Sequence, residues 1–331
     1  MVCAITKAGV LSILAVVVLL AFAAEAQQPA KIPRIGYLSA ASLSTSPARI
    51  EAFLQGLRDL GYVEGKNIVI EYRFAEGKLD RLPALAAELV RLKVDVLVTG
   101  GGGITRAAKN VTNTIPIVMA QDGDPVANGF VASLAQPGGN ITGLSNLNPE
   151  ISGKQLELLK EILPKLSRVA VLVSSAKNPA NLQQVKEIEL AAEAFKVNLQ
   201  YLTVRSSRDI ETAFRAATKE RADAVLVQSG SIFNSHRKLI VKLAAQSRLP
   251  AIYSHSQYVA DGGLMTYGAS LPDLDRRVAT YVDKILKGTK PADLPVQQAT
   301  KFEFVINLKA AKQIGLTIPN RVLERANQVI K

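Results

Sequence analysis

Apolar and polar residues follow two different periods along most of the chain. Short apolar runs such as RIGYLSA (34–40) and VDVLVTG (94–100) are typical of buried strands, whereas ARIEAFLQGLRDLGY (48–62) repeats its apolar residues at helical spacing and stops near Gly61. Strands joined by helices of about 10 to 15 residues indicate parallel βαβ units, with helices on both faces of a sheet. The pattern therefore predicts an α/β fold from residue 32 onward.

The same order of strands, helices and loops occurs twice. The segment 197–230 parallels 66–100, and the later strand RLPAIYSHS (248–256) parallels TIPIVMAQ (114–121). Several landmarks in the same order and at similar spacing indicate a structural duplication. We therefore predict two Rossmann-like lobes, each with a parallel sheet.

The duplication also predicts where the chain passes from one lobe to the other. We expect the first lobe at 27–145 with a return at 270–290, and the second lobe at 146–268 with a return at 300–331. In an open parallel sheet, ligands bind outside the carboxyl ends of the strands. Two facing lobes therefore predict a cleft lined by strand-end loops from both sides, with a hinge that allows closure.

Residues 1–26 differ from the rest of the chain. The apolar run Val10–Ala24 is shorter than the roughly 20 residues that a spanning helix needs, and Ala24-Glu25-Ala26 supplies a small-x-small cleavage site. We predict a cleaved signal peptide and a periplasmic location, with an uncleaved anchor as the alternative. The only cysteine, Cys3, lies in this segment, so a mature chain would have neither a disulfide nor a cysteine-bound metal.

Composition and charge narrow the choice of partner. The 331 residues are 48% hydrophobic and carry a formal net charge of +12. A basic balance can indicate nucleic-acid binding. Here the lysines and arginines are scattered along helical faces, and the chain has no tryptophan and few other aromatic residues on which bases could stack. We therefore predict no nucleic-acid partner.

A run of four glycines, Gly100 to Gly103, follows one predicted strand and precedes a helix. It lacks the Gly-Lys-Ser/Thr ending of a P-loop, and Thr105 or Arg106 stands where a dinucleotide fingerprint needs its last glycine. We therefore predict no nucleotide cofactor, and no other cofactor. Glycines beside a helix start can point backbone N–H groups at an anionic ligand group, although a plain tight turn is the alternative.

Few side chains suit catalysis or metal binding. A triad around His255 can be imagined, but the chain has no Gly-x-Ser-x-Gly elbow to present a nucleophile, so we predict no catalytic residue. Asp122 and Asp124 lack the spacing of a calcium loop, and we predict no metal site. Asp124-Pro125 is typical of a helix cap with proline in the first turn, while Asp122 could bind a ligand ammonium or stabilise a turn.

Small polar residues follow strands in both predicted lobes. Such side chains, together with backbone donors and nearby tyrosines, favour recognition of a small molecule over catalysis. The predicted ligand-binding residues are Ser39, Thr99, Gly100, Gly101, Gln121, Asp122, Ser174, Asn178, Ser229, Ser254 and Tyr267.

Several longer stretches carry a family resemblance over almost all of residues 32–331. They include FLQGLRDLGYVEGKNIVIEYRFAEGKLDRLPALAAELVRLKVDVLVTGG, GDPVANGFVASLAQPGGNITGLS, SGKQLELLKEILP and GGLMTYGASLPDLDRRVATYVDKILKG. In these stretches the chain resembles the solute-binding proteins of ABC transporters, in the tryptophan/tyrosine-type family. The resemblance implies a type I periplasmic-binding fold with a three-strand hinge, and no catalytic residues.

The resemblance also implies the biological context. We expect an exported, monomeric solute-binding protein that traps an amino acid, or a carboxylated or aromatic compound, and delivers it to an ABC permease with its ATPase subunit. A two-domain α/β hydrolase or isomerase is one alternative. A ligand sensor that docks to a membrane receptor is the other.

Overall fold

The computed structural model describes residues 31–42, 47–174 and 179–331. The predicted signal peptide and Asn178 lie outside the described residues. The segment Arg34–Lys331 forms one compact unit. No helix in the described part of the chain is both long enough and apolar enough to span a bilayer.

The first lobe is built on a parallel sheet of six strands among the described residues. The strand at residues 297–298 forms one edge of this sheet and pairs with the fifth strand of the chain. The second strand forms the other edge and pairs with the first. The elements are β1 (Arg34–Ser39), α1 (Pro47–Asp59), β2 (Val69–Phe74), α2 (Leu82–Arg91), β3 (Val96–Thr99), α3 (Gly102–Lys109), β4 (Ile117–Asp122), β5 (Ile141–Ser145), α10 (Leu271–Leu286) and β11 (Gln297–Gln298).

The second lobe is built on a sheet of seven described strands. Its elements are α4 (Asn148–Ile162), β6 (Arg168–Val173), α5 (Pro179–Phe195), β7 (Asn198–Thr203), α6 (Ser207–Lys219), β8 (Ala224–Val227), α7 (Ser231–Ser235), α8 (Arg237–Gln246), β9 (Ala251–Tyr253), α9 (Ser256–Ala260), β10 (Met265–Ala269), β12 (Phe302–Asn307), α11 (Leu308–Gln313), α12 (Asn320–Leu323) and β13 (Gln328–Ile330). The order is β13-β12-β10-β9-β8-β6-β7, in which β10 and β12 are antiparallel and the other pairs are parallel.

Apolar side chains cover both faces of each sheet, which explains why the strands are continuous apolar runs. In β3, Val96 and Val98 pack in the cluster formed with α1 and α10, whereas Leu97 packs in the cluster on the opposite face. Successive side chains of a strand point to opposite faces of the sheet. A strand that is covered on both faces therefore has apolar residues at successive positions and does not alternate apolar with polar ones.

Helix α10 returns from the second lobe and packs closely on α1. A Cβ atom at Gly56 would lie 2.3 Å from the carbonyl oxygen of Arg276, so a larger residue there would push the two helices apart. The chain passes between the sheets after β5, after β10 and after β11. The predicted α/β fold with two sheets and a three-segment connection is therefore confirmed.

Candidate ligand-binding cleft

A cavity of about 450 Å³ opens between the two sheets, beyond the carboxyl ends of their strands. The first lobe contributes Gly100–Gly103 after β3, and Asp122 with its neighbours at the end of β4. The second contributes Ser174 after β6 and Ser229–Ser231 after β8. The volume is within the range of about 300 to 1,000 Å³ that small-molecule sites occupy. Both lobes therefore contribute to one small-molecule-sized cavity.

The structure brings more than half of the predicted residues to this cavity. They lie at or just beyond the carboxyl ends of four different strands, which meet at the same edge of each parallel sheet. The predicted residues that line the cavity are Gly100, Gly101, Gln121, Asp122, Ser174 and Ser229.

Four other predicted residues lie away from the cavity lining. Thr99 is fully buried beneath it, with its Oγ1 2.8 Å from that of Thr105. The Ser39 hydroxyl accepts a hydrogen bond from the amide of the second residue beyond it, at 3.2 Å. Ser254 is buried, and the ring of Tyr267 stacks on that of Phe302 with 6.3 Å between centroids.

The glycine run forms the tight start of α3. Gly101 has a φ of 125°, a conformation that favours glycine, and its carbonyl accepts the first hydrogen bonds of the helix, from Ile104 and Thr105 at 3.0 Å. The amides of Gly102 and Gly103 precede these bonds and have no partner within the helix. On the other lobe, the Ser231 hydroxyl lies 3.6 Å from where a Cβ of Gly103 would be, so the absence of side chains lets the lobes approach each other.

Asp122 is an acidic residue almost completely buried at the cavity wall, with 1% of its surface exposed. Its Oδ1 accepts hydrogen bonds from the Asp124 amide at 3.0 Å and from Asn128 Nδ2 at 2.9 Å. Its Oδ2 has no partner among the described residues and lies 2.7 Å from where a Cβ of Gly102 would be. Burial raises the pKa of Asp122 to about 6, because an ionised carboxylate loses hydration there.

The predicted helix cap at Asp124 is wrong. The Asp124 carboxylate does accept from the backbone amide of Ala127 at 2.9 Å, but residues 125–129 form turns and not a helix. Gly129, with a φ of 65°, reverses the chain, and the amide of Phe130 bonds back to the carbonyl of Pro125. The aspartate-proline pair therefore begins a compact loop that supports Asp122.

A buried ion pair lies next to the cavity. Arg49 on α1 donates to Asp275 on α10 through Nε at 2.6 Å and Nη2 at 3.0 Å. With its amide oxygen turned toward Arg49, Gln121 accepts from both Nη atoms at 3.0 and 3.1 Å. This pair fixes the side chain of a predicted ligand residue from behind, and the sequence pattern gave no indication of it.

His255 lies on the second lobe beside this cationic centre. Its Nε2 is 3.2 Å from the Ser229 hydroxyl, and its Nδ1 has no partner in the described part of the chain. Burial, and secondarily the charge of Arg49, lower the pKa of His255 to about 3. A hydrolytic triad needs a carboxylate that orients the histidine through its other nitrogen, and the described residues supply none. The described residues also contain no group of three or more His, Cys, Asp or Glu side chains that could hold a metal ion.

Amide side chains that the sequence analysis missed contribute much of the cavity wall. The one signal that could have revealed part of this set is that Asn146 directly follows β5 and Asn148 lies two residues further on. The others come from helix surfaces and loops, where polar residues are ordinary. The amide-bearing lining residues not predicted from the sequence are Asn128, Asn146, Asn148, Asn181, Gln184 and Asn234.

The chain belongs to the ABC transporter substrate binding protein family, whose model matches residues 41–330. It is 26% identical to the tyrosine-binding protein of Clostridioides difficile over 266 residues, which cover 80% of this chain and 76% of that protein. The chain is therefore a member of a family of substrate-binding proteins, and its two-lobed architecture agrees with this.

Solved structures agree with this assignment. A conserved domain protein from Vibrio cholerae superposes with a TM-score of 0.84 at 31% identity, over 90% of this chain and all of that one. An ABC domain from Streptococcus pneumonia in complex with L-Trp gives a TM-score of 0.81 at 30% identity, over 89% and 100% of the two chains. The predicted type I periplasmic-binding fold and family resemblance are thereby confirmed.

Proposed function

We propose that this chain is the exported solute-binding protein of an ABC importer, which traps a small molecule between its lobes and delivers it to a permease with its ATPase subunit. The observation that carries the proposal is the cavity shared by both lobes, with a buried acidic residue at its wall whose Oδ2 lacks a partner. Family membership and the relatives named for tyrosine and L-Trp support a small-molecule ligand, with an amino acid as one candidate. Export through residues 1–26 to the periplasm, and action as a monomer, belong to the same proposal.

Six residues are proposed to contact the ligand, because they combine a predicted role with a place in the cavity lining. Backbone groups of Gly100 and Gly101, with the side chains of Gln121 and Asp122, form the part on the first lobe. Ser174 and Ser229 form the part on the second. A ligand that contacts both sets stabilises the closed arrangement only, so its binding energy drives closure.

Closure depends on the lobes meeting at the glycine run. Ser231 approaches Gly103 so closely that a large side chain there would occupy the gap. Gly103 precedes the first backbone bonds of α3 and has no positive φ, so leucine at this position fits the helix itself. Gly103→Leu is therefore expected to hold the lobes apart without unfolding either one.

The test combines binding with shape. The chain from residue 27 is screened by thermal shift against amino acids and other carboxylates, and a ligand at about 100 times its Kd should add roughly 2.7 kcal/mol of stability. Small-angle scattering then measures compaction on binding. Gly103→Leu should lose the compaction and most of the affinity, whereas leucine at Gly139, which has open space around its Cβ position, should keep both.

Two results would contradict the proposal. One is chemical conversion of the bound compound at an enzymatic rate, which would favour a hydrolase or isomerase. The other is a ligand that binds tightly without compacting the chain and binds Gly103→Leu with the same affinity. That result would place the ligand outside the cleft.

A further inference from the structure

The wall of the cleft is rich in hydrogen-bonding side chains and poor in apolar ones. No aromatic side chain lines it in the described part of the chain, and Leu79, Val204 and Ile232 are its large aliphatic ones. The two short segments 43–46 and 175–178, which lie outside the description, contain no aromatic residue in sequence. An aromatic ligand would therefore find few apolar surfaces against which to bury its ring.

Among the side chains that line the cavity in the described part of the chain, the buried atoms without a hydrogen-bond partner are all acceptors. Asp122 Oδ2, Asn146 Oδ1 and Gln184 Oε1 are buried and have no partner among the described residues. The three side chains are 1%, 3% and 4% exposed. Acceptors that are removed from water need donors, so a complementary ligand has to bring N–H or O–H groups to them.

The charge beside the glycine run is already negative. Asp122 Oδ2 lies against Gly102, where the sequence alone suggested a site for a ligand carboxylate. Arg106 also lines the cavity, but its guanidinium lies 4.5 Å above the ring of Phe130 and bonds to the carbonyl of Asn128, which leaves Asp122 Oδ2 without a partner among the described residues. A second carboxylate next to Asp122 would be repelled, whereas a cationic nitrogen would pair with it.

We infer that the cleft takes a small non-aromatic ligand that presents a cationic nitrogen to Asp122 and further N–H or O–H donors to Asn146 and Gln184. The inference rests on the proposed function, since it specifies the ligand of the same cleft. It differs from what the tyrosine- and L-Trp-binding relatives suggest. Relative to a ligand that pairs them, each of these amides that an aromatic ring leaves unpaired lowers the affinity by about ten-fold.

Isothermal titration calorimetry of the full mature chain tests the ligand class with matched probes. L-Citrulline, L-glutamine and agmatine are non-aromatic amines with additional N–H donors; L-tryptophan and L-tyrosine carry aromatic side chains. 5-Ureidopentanoate is L-citrulline without its ammonium group. We expect at least one of the first three probes to bind more tightly than both aromatic amino acids, and 5-ureidopentanoate to bind more weakly than L-citrulline.

A variant of Asp122 then locates the cationic group. Asp122→Asn keeps the shape and the Oδ1 acceptor but removes the charge, and should weaken the best amine by about 30-fold. Asp293→Asn is the matched control, since Asp293 is an exposed aspartate outside the cavity lining; it should leave the affinity within about two-fold. Melting temperatures of both variants show that they remain folded.

Each outcome decides between the inference and the proposed function. Preferential binding of L-tryptophan or L-tyrosine in the cleft, or an amine affinity that Asp122→Asn does not change, overturns the inference and leaves the proposed function standing. Failure of all the amines and both aromatic amino acids to bind at millimolar concentration overturns the inference. If the broader thermal-shift screen is also negative, the proposed function fails with it.

Discussion

Asp122 should destabilise the empty protein at neutral pH, and its replacement by asparagine should therefore raise stability. Burial raises the pKa of this carboxyl from 3.8 to about 6. One pKa unit corresponds to about 1.4 kcal/mol of differential interaction, so the ionised group costs about 3 kcal/mol above pH 6. Asparagine keeps an acceptor for Asn128 and the Asp124 amide and carries no charge.

The pH dependence of this effect has a definite sign. The folded-state pKa of Asp122 is higher than its unfolded value, so the folded protein holds the proton more tightly between about pH 4 and pH 6. The stabilising contribution of the protonated form is complete below the unfolded pKa and is lost as the pH rises through about 6. The difference in stability between Asp122→Asn and the parent chain should therefore be small near pH 4 and largest above pH 6.

Urea unfolding of the ligand-free chain at several pH values between about 4 and 7.5 measures this difference. Other titrating groups affect both chains equally, so the comparison at each pH isolates the one carboxyl. Asp293→Asn serves as control, because its carboxylate is exposed. A variant that is no more stable than the parent at pH 7.5, or a gain that does not vary with pH, would refute the reasoning.

Three other predictions follow from the same structure. Burial lowers the folded-state pKa of His255 from 6.5 to about 3, so its contribution to stability is lost as the pH falls from 6.5 toward 3. His255→Gln should therefore lose several kcal/mol less stability than the parent chain between pH 7.5 and pH 4, as measured by urea unfolding. Gly143→Ala should cost about 3 kcal/mol or more in a thermal melt, since its Cβ would lie 2.2 Å from a backbone oxygen and its φ is 135°, whereas Gly139→Ala should be nearly neutral. Ser229→Ala should weaken ligand binding more than Thr99→Val in calorimetry, because only Ser229 lines the cavity; the reverse order would contradict this placement.

The sequence was sufficient for the architecture because the determining signal is local and repeated. A strand such as β3, covered on both faces, is a continuous apolar run, and the helices between strands show their buried stripe directly. The same logic located Asp122 and Ser229, since Asp122 ends β4 and Ser229 lies two residues beyond β8. Residues at strand ends could be predicted because topology alone brings them to one edge.

The rest of the cleft depends on contacts between distant parts of the chain. Arg49 and Asp275 are 226 positions apart, and each looks like an ordinary polar residue on an amphipathic helix. Gln184 lies on α5, where a buried glutamine has the same appearance in sequence as a solvent-exposed one. Helical periodicity shows which face is apolar, but it does not show that a polar residue faces a cavity.

The buried acid connects stability with recognition. Asp122 combines the cost of burial with an oxygen that no described residue bonds, and this combination is unfavourable for folding alone. A cationic donor at Oδ2 removes both penalties at once, and it does so most completely when the lobes close and exclude water. Such a ligand would thus gain affinity because it removes the cost of the buried, unpaired carboxylate. An aromatic or anionic compound would leave the carboxylate unpaired. Because the gain requires the carboxylate to be ionised, recognition of the ligand and the predicted stability gain of Asp122→Asn at neutral pH have the same physical origin.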